Sequence, residues 1–431
     1  MTPTRETFGN IPYSSQLAFY ALAAIAMGIF CWGVWRRWKL WRMGTPIAFR
    51  TLISGHLGAV WKKIRPGVRR VAVDAGLQQR VRGHGLGTIA HLSLYAGFMA
   101  LLAGTTLLEI DNILSHISEA LKFHRGPYYV VYEYTLDVLG LAFIAGTLFF
   151  CWRRLRKPAA LGHRPTDWYV LLSFLAIGVT GYVVEGLRII WQHPTGITAQ
   201  CSPVGLWLAG ALGSLSDGDA RRAHFAVWWI HAVLVFGFIA TIPFTRLFHF
   251  IAGPMNIFLA PPGLGTLAPV TMAEVEETGR VGPSDIRHFS FQQLLSLDAC
   301  MECGRCEEVC PAFATAKPLS PMRVVQDLKG LMENTAVAVA AGRTEVPALH
   351  EATVTAETLW SCTACSACVN VCPVRIDQLS LIIGLRRHLV AEGGLSGTAA
   401  TALRRMQSNG NPWGLPPAER ANWSDALKTQ S

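Results

Sequence analysis

Two stretches decide how this chain must be built: "CMECGRCEEVCP", from Cys300 to Pro311, and "CTACSACVNVCP", from Cys362 to Pro373. Each spaces four cysteines as C-x2-C-x2-C-x3-C and ends on proline. Both stand late in a chain of 431 residues whose earlier half is rich in long apolar runs. Of the eleven cysteines, eight belong to these stretches. Cys31, Cys151 and Cys201 are scattered and define no disulfide framework. Eight thiols that must stay reduced point to a cytosolic setting for that half of the chain.

Three cysteines at x2 spacing wrap one face of an iron–sulfur cube, and the fourth, three residues on, points away from it. In two-cluster ferredoxins that fourth cysteine ligates the other cluster. The spacing therefore assigns Cys300, Cys303, Cys306 and Cys372 to one [4Fe–4S] cluster, and Cys362, Cys365, Cys368 and Cys310 to a second. Structural zinc favours separated C-x2-4-C pairs and fits this pattern poorly.

The composition explains the company these motifs keep. Apolar residues make up 51% of the chain, charged ones only 15%, and the net charge is +10. Five stretches, near 13–35, 88–110, 129–151, 168–191 and 225–248, reach the roughly 20 helical residues that cross a hydrocarbon core. The first is too long for a cleavable signal, and its basic cluster follows the apolar run instead of preceding it. Residues 36–82 hold twelve Lys/Arg against one acid, Asp74, and "WRRLRKP" (152–158) is again basic. The loops 111–128 and 192–223 each balance two acids with two bases. Basic loops stay inside, so the expected topology is multi-pass in the inner (cytoplasmic) membrane, with the N-terminus outside and the cysteine motifs in the cytoplasm. The positive charge is then topological, and nucleic acid is not an expected partner. Trp32, Trp35, Trp38, Trp41, Trp152 and Trp168 fall where interfacial aromatics are expected.

The expected fold is an all-α membrane protein: a five-helix bundle over 1–250, a Pro- and Gly-bearing connector over 251–289, and a mainly α-helical two-cluster domain over 290–431. In the last, Ser320 and Pro321 read as the N-cap and first residue of a helix.

Histidines in the spans point to a further cofactor. His231 and His249 are 18 residues apart, five whole turns and roughly 27 Å on a continuous helix, so both share a face. His91 lies at the cytoplasmic end of the second span, level with His249. Two histidines at one depth on two helices can clamp a haem iron from both sides, which assigns a haem b to His91 and His249. At the depth of His231 the second span offers only Leu101 to Leu108. His116, His124 or His193 from the outer loops could complete a second haem there; a quinone contact or a hydrogen-bonded core imidazole are the other readings of His231. Glu133, Asp137 and Glu185 lie inside spans and are candidates for proton transfer at a quinone site, although Glu185 and Arg188 can also neutralise each other as i,i+3 neighbours.

Two family resemblances follow from these residues. "HAVLVFGFIATIPFTRLFHFIAGP" (231–254) resembles the matching helix of the respiratory nitrate reductase gamma subunit, a five-helix dihaem cytochrome b. The resemblance implies that both histidines of this stretch ligate haem, with His91 as one partner on the second helix. The other partner position falls near Leu101, which is no ligand. Residues 290–431, with both cysteine motifs and "NPWGLPPAERANW" (411–423), are similar to the iron–sulfur half of the heterodisulfide reductase family. In many such relatives a cysteine-rich catalytic module follows; here the chain stops at Ser431, and that module is expected to be absent, separate or lost.

The leading functional expectation is a membrane electron-transfer subunit of a quinone-linked oxidoreductase complex. It would move electrons between a cytoplasmic redox partner, a cysteine-rich or flavin subunit, and the quinone pool, with the substrate site on the partner chain. The alternative is a membrane-anchored ferredoxin-type electron donor for metallocentre assembly, which would need no matched pair of span histidines. A transporter with a regulatory cluster domain would show a broken-helix pair or an internal repeat in the spans, and neither is visible.

Overall fold

The computed structural model describes residues 4, 7–46, 54–55, 57–83, 85–156, 165–261, 263, 265–343, 349, 354–395 and 397–425. Arg50, Lys157 and Pro158 of the basic loops lie outside them. Among the described residues no strand forms; extended pairing is limited to isolated bridges, Thr4 with Arg125 and Thr45 with Ser290. The chain is an all-α membrane protein.

Among the described residues five helices are long and apolar enough to cross a membrane. They are α1 (Tyr13–Trp41), α3 (Leu86–Ile117), α4 (Pro127–Leu155), α5 (Pro165–Gln192) and α7 (Asp217–Thr241). Between α1 and α3 lies the basic helix α2 (Leu57–Arg70), and between α5 and α7 the short α6 (Pro203–Ala211). In the bundle α3 packs along α4, and α5 along α7, with α1 against α7. Lipid supplies no hydrophobic drive between such helices, so small residues bring the backbones close. A Cβ on Gly146 of α4 would fall 2.7 Å from the Ala90 carbonyl of α3, and one on Gly97 of α3 would collide with α4 at Leu139 and Phe143.

The fifth crossing departs from the sequence reading. Instead of one helix through His249, α7 ends at Thr241, two 3-10 turns follow at Ile242–Phe244 and Arg246–Phe248, and a new helix α8 (His249–Leu259) begins. Pro243 is the physical cause: it lacks an N–H and its ring crowds the preceding turn. Gly33 of α1 accommodates that proline, since a Cβ there would lie 2.6 Å from the Pro243 Cβ. His231 and His249 therefore do not share one face of a continuous helix, and the five-turn spacing does not apply. Helix α8 also straddles residue 250, where the bundle was expected to end. It belongs to the packing of the soluble half, with Asn256 Nδ2 donating to the Val374 carbonyl at 2.7 Å.

The cysteine-bearing half is built from α9 (Phe291–Ala299), α10 (Pro321–Ala340) and α11 (Gln378–Ala391), with shorter turns between. Ser320 caps α10 by accepting from Arg323 N at 2.9 Å, and Pro321 opens it, as expected. This half shares a core with the ends of the spans nearest to it. Fully buried Trp41 of α1 packs with Phe248 and Ala252 against Phe289, Phe291, Leu294 and Leu295. Its indole Nε1 donates to Asp298 at 2.8 Å. Asp298 in turn pairs with Arg37 of α1 at 3.4 Å and Lys329 of α10 at 3.0 Å. Burial of apolar surface and a satisfied ionic cluster thus fix the soluble half on the bundle.

Candidate metal centres

The two cysteine motifs fold alike. Glu302 and Gly304 take φ of +57° and +80°; Ala364 and Ser366, at the corresponding places, take +55° and +62°. Left-handed backbone costs a non-glycine residue about 1 kcal/mol or more, so its repetition marks a loop shape that something must repay. Each loop then enters a single helical turn, Arg305–Glu308 in the first and Ala367–Val371 in the second. Backbone N–H groups point at sulfur: Ala364 N at Cys362 Sγ and Ile376 N at Cys372 Sγ, both at 3.4 Å.

The loops bring the eight thiols into one neighbourhood. Cys306 lies within electrostatic reach of Cys300, Cys303 and Cys372. Cys368 lies likewise among Cys362, Cys310 and Cys365. The sets adjoin, because Cys306 also feels Cys368. Among the described residues no three His, Cys, Asp or Glu side chains close round a single ion. Burial pushes the Cys300 thiol up to about 11 and those of Cys368 and Cys372 up to about 12. Cys365 differs: it is exposed, and hydrogen bonds from the Ala367 N–H and the Thr363 hydroxyl lower its pKa. Thiols of the buried kind are protonated at neutral pH, so ligation must displace their protons.

The first loop is bolted to the bundle. Arg246, in the turn before α8, donates to Asp167 of α5 at 2.8 Å and to Glu302 at 2.5 Å, and Arg154 of α4 joins Asp167 at 2.8 Å. Arg305 donates to the carbonyls of Arg80 and Val81 at 3.0 and 3.1 Å. Arg80 reaches back to the Cys372 carbonyl at 2.8 Å. These arginines carried no motif; their chemistry comes from a fold that sets them against carbonyls and carboxylates far off in sequence.

His91, in the second turn of α3, and His249, the first residue of α8, come within electrostatic reach of each other and of Arg305. Phe98 and Phe250 pack edge to face beside them, 5.5 Å apart. His249 Nδ1 donates to the Arg246 carbonyl at 2.6 Å, which leaves the Nε2 lone pair for a metal. His91 Nδ1 is buried without a hydrogen-bond partner, an unmet group of the kind a bound cofactor accounts for. The two imidazoles are the groups of this chain that would hold a haem.

The outer level is different. His231 Nδ1 lies 2.9 Å from Thr180 Oγ1, a hydroxyl that itself donates to the Ala176 carbonyl at 2.7 Å. The imidazole is thus the donor, held against α5 beside Gly181. Leu101 joins Phe98, Phe174 and Phe238 in an apolar cluster. His116 Nδ1 bonds the Asn112 carbonyl at 2.7 Å, His193 lies 3.0 Å from Asp217, and His124 is buried beside Asp111 and Tyr132. The sequence reading passed over His224, buried on α7 beside Trp191 at 5.9 Å; its i,i+7 spacing from His231 was the available signal.

The intramembrane acids have structural partners. Asp137 accepts from Val204 N at 2.9 Å and Gly205 N at 3.4 Å, capping α6. Glu185 holds Arg188 through two contacts of 2.5 and 2.9 Å, and Glu133 also acts on Arg188.

Fold and site together define a multi-pass membrane iron–sulfur protein. Residues 112–264 match the family model of the nitrate reductase gamma subunit, and residues 296–376 that of a 4Fe–4S dicluster domain, so both resemblances read from the sequence hold. Over 98% of its length the chain is 30% identical to the EtfAB:quinone oxidoreductase of Syntrophomonas wolfei. Over 96% it is 28% identical to the probable iron-sulfur-binding oxidoreductase FadF of Bacillus subtilis. It spans 61% of the length of each of these relatives. A further 30% identity, over 32% of this chain and 35% of the relative, joins it to one of the subunits of the dihydromethanophenazine:CoB–CoM heterodisulfide reductase of Methanosarcina mazei. No solved structure matches the chain.

Proposed function

We propose that this chain is a membrane electron-transfer subunit of a quinone-linked oxidoreductase complex, working between a cytoplasmic redox partner and the quinone pool. In this reading Cys300, Cys303, Cys306 and Cys372 hold one [4Fe–4S] cluster; Cys362, Cys365, Cys368 and Cys310 hold a second; His91 and His249 hold one haem b. When bound, these groups supply one-electron carriers. The observation that carries the reading is the meeting of the histidine pair with the first cysteine loop, through Arg305 near His91 and the Arg246–Glu302 pair next to His249. A fixed contact between a soluble thiol loop and a membrane-embedded imidazole pair is what exchange between two phases requires.

The partner docks on the side of the second loop, where Cys365 is exposed, and the exposed Trp413 and Trp423 of the C-terminal stretch offer further contact area. Substrate chemistry belongs to that partner, a cysteine-rich or flavin subunit. The name of the Syntrophomonas relative, which pairs EtfAB with quinone, supports the same pairing here. Quinone exchange also moves protons, and Glu133, Asp137, Glu185 and His231 are the ionisable groups within the bundle that are candidates to carry them. The functional division follows 1–250 and 290–431, with 251–289 contributing the packed joint. The N-terminus faces outward and the thiol loops the cytoplasm, as the basic loops require.

Mixing the purified full chain with a quinol should change its haem absorbance. His91→Ala or His249→Ala should abolish the haem spectrum, and His231→Ala should keep it. A chain without response to any quinol or quinone, or two variants that retain the full spectrum, would overturn the reading.

A further inference from the structure

Beside α2 lies a cavity of about 660 Å³ lined by Lys62, Arg65, Arg69, Arg70 and Arg375, with Asp74 as the acid among its walls. Asp74 is already engaged, by Arg375 and by Arg80 at 3.9 Å. Arg70 is held by the carbonyls of Ile257 and Phe258 at 3.1 and 2.9 Å. Lys62, Arg65 and Arg69 make no ion pair among the described residues and are exposed. Cations are crowded here: burial and the neighbouring Arg375 hold the Arg70 guanidinium below its ordinary pKa. So much uncompensated positive charge round one cavity calls for an anion.

The setting says which anion. Helix α2 is amphipathic, and the apolar stripe beside its basic residues is left open, with Leu57, Trp61 and Val68 exposed to 90%, 54% and 41%, Trp61 also lining the cavity. A basic helix with a bare apolar stripe and a tryptophan is the build of a segment lying in the membrane interface. Its place in the molecule agrees. It connects two crossing helices, α1 and α3, and rests on α8, where a Cβ on Gly67 would lie 2.8 Å from the Phe258 ring. The apolar stripe meets acyl chains while Lys62, Arg65 and Arg69 meet headgroups.

We propose that this cavity binds the phosphate of an anionic phospholipid from the leaflet on the cysteine-loop side. Arg375 follows Cys372 by three residues, so the bound headgroup ties the lipid surface to the end of the second cysteine motif, whose Cys372 is proposed to join the first thiol set. Each basic residue near an anionic surface contributes roughly fivefold in affinity, and three about a hundredfold, falling as salt rises.

The test uses the full chain, delipidated in neutral detergent and titrated with phosphatidylglycerol or phosphatidylcholine under native mass spectrometry. One phosphatidylglycerol per chain should be retained in preference to phosphatidylcholine. The variant Lys62→Gln/Arg65→Gln/Arg69→Gln, altered only at exposed positions, should lose about a hundredfold of that affinity at low salt. Inorganic phosphate should compete weakly. Equal retention of both lipids, undiminished binding by the triple variant, saturation by inorganic phosphate alone, or tighter binding of a polyglutamate peptide would each overturn the proposal.

Discussion

The two cysteine loops share a spacing, a pair of left-handed residues and a following helical turn, yet they face different worlds. The first is clamped between arginines: Glu302 answers Arg246, and Arg305 reaches into the loop before α3. The second is held by Arg386, which donates to the carbonyls of Leu359 and Cys362, and leaves Cys365 exposed. The two motifs share one shape, and their surroundings set them apart: the first loop is the inner one, held against the spanning helices, and the second the outer one, with a thiol exposed.

The widest way to break the comparison is to remove the crossed fourth ligands. Cys372→Ala should cost the inner set its cluster and Cys310→Ala the outer, each lowering cluster iron from about eight to about four atoms per chain. If Cys372→Ala instead spares the signal of the cluster beside the spans, the crossing is wrong. Next in size is the clamp. Arg246→Ala removes the cation that faces both Asp167 and Glu302, and losing one member of such a buried ionic pair costs about 3 kcal/mol. The melting temperature of the full chain in detergent should fall by several degrees, more than for Arg386→Ala; an equal or smaller fall would show that the inner loop does not depend on its clamp. The smallest effect is chemical. In the cluster-free chain the lowered pKa of Cys365 puts its thiolate fraction at a lower pH than those of Cys300 and Cys372, raised to about 11 and 12. Alkylation at pH 7 should reach Cys365 first, and the buried thiols only as pH rises. Uniform labelling would erase the distinction between the loops.

Much of this was legible in the sequence. Apolar length placed five crossings because a bilayer demands about 20 helical residues whatever their packing. Cysteine spacing proposes a pairing of the thiols because so short a loop leaves few ways to wrap a cube. The match of depth proposes the pairing of His91 with His249, and the structure brings the two imidazoles within electrostatic reach of each other. What failed was the assumption of a continuous fifth helix: Pro243 stood in plain view, but an apolar run masks a break unless the missing N–H is counted.

By itself, then, the sequence determined the class: an all-helical membrane protein with two cysteine motifs of the iron–sulfur kind, since hydrophobic length and cysteine spacing are local properties. Only the tertiary structure decided which loop packs against the spans, that His231 bonds Thr180 while His249 bonds the Arg246 carbonyl, and that Lys62, Arg65, Arg69 and Arg375 line one cavity. Those outcomes depend on side chains separated by as many as 300 residues, such as Asp74 and Arg375. Charge and hydrogen-bond partners at that remove meet only when the packed core has fixed the helices, and no local pattern records the meeting.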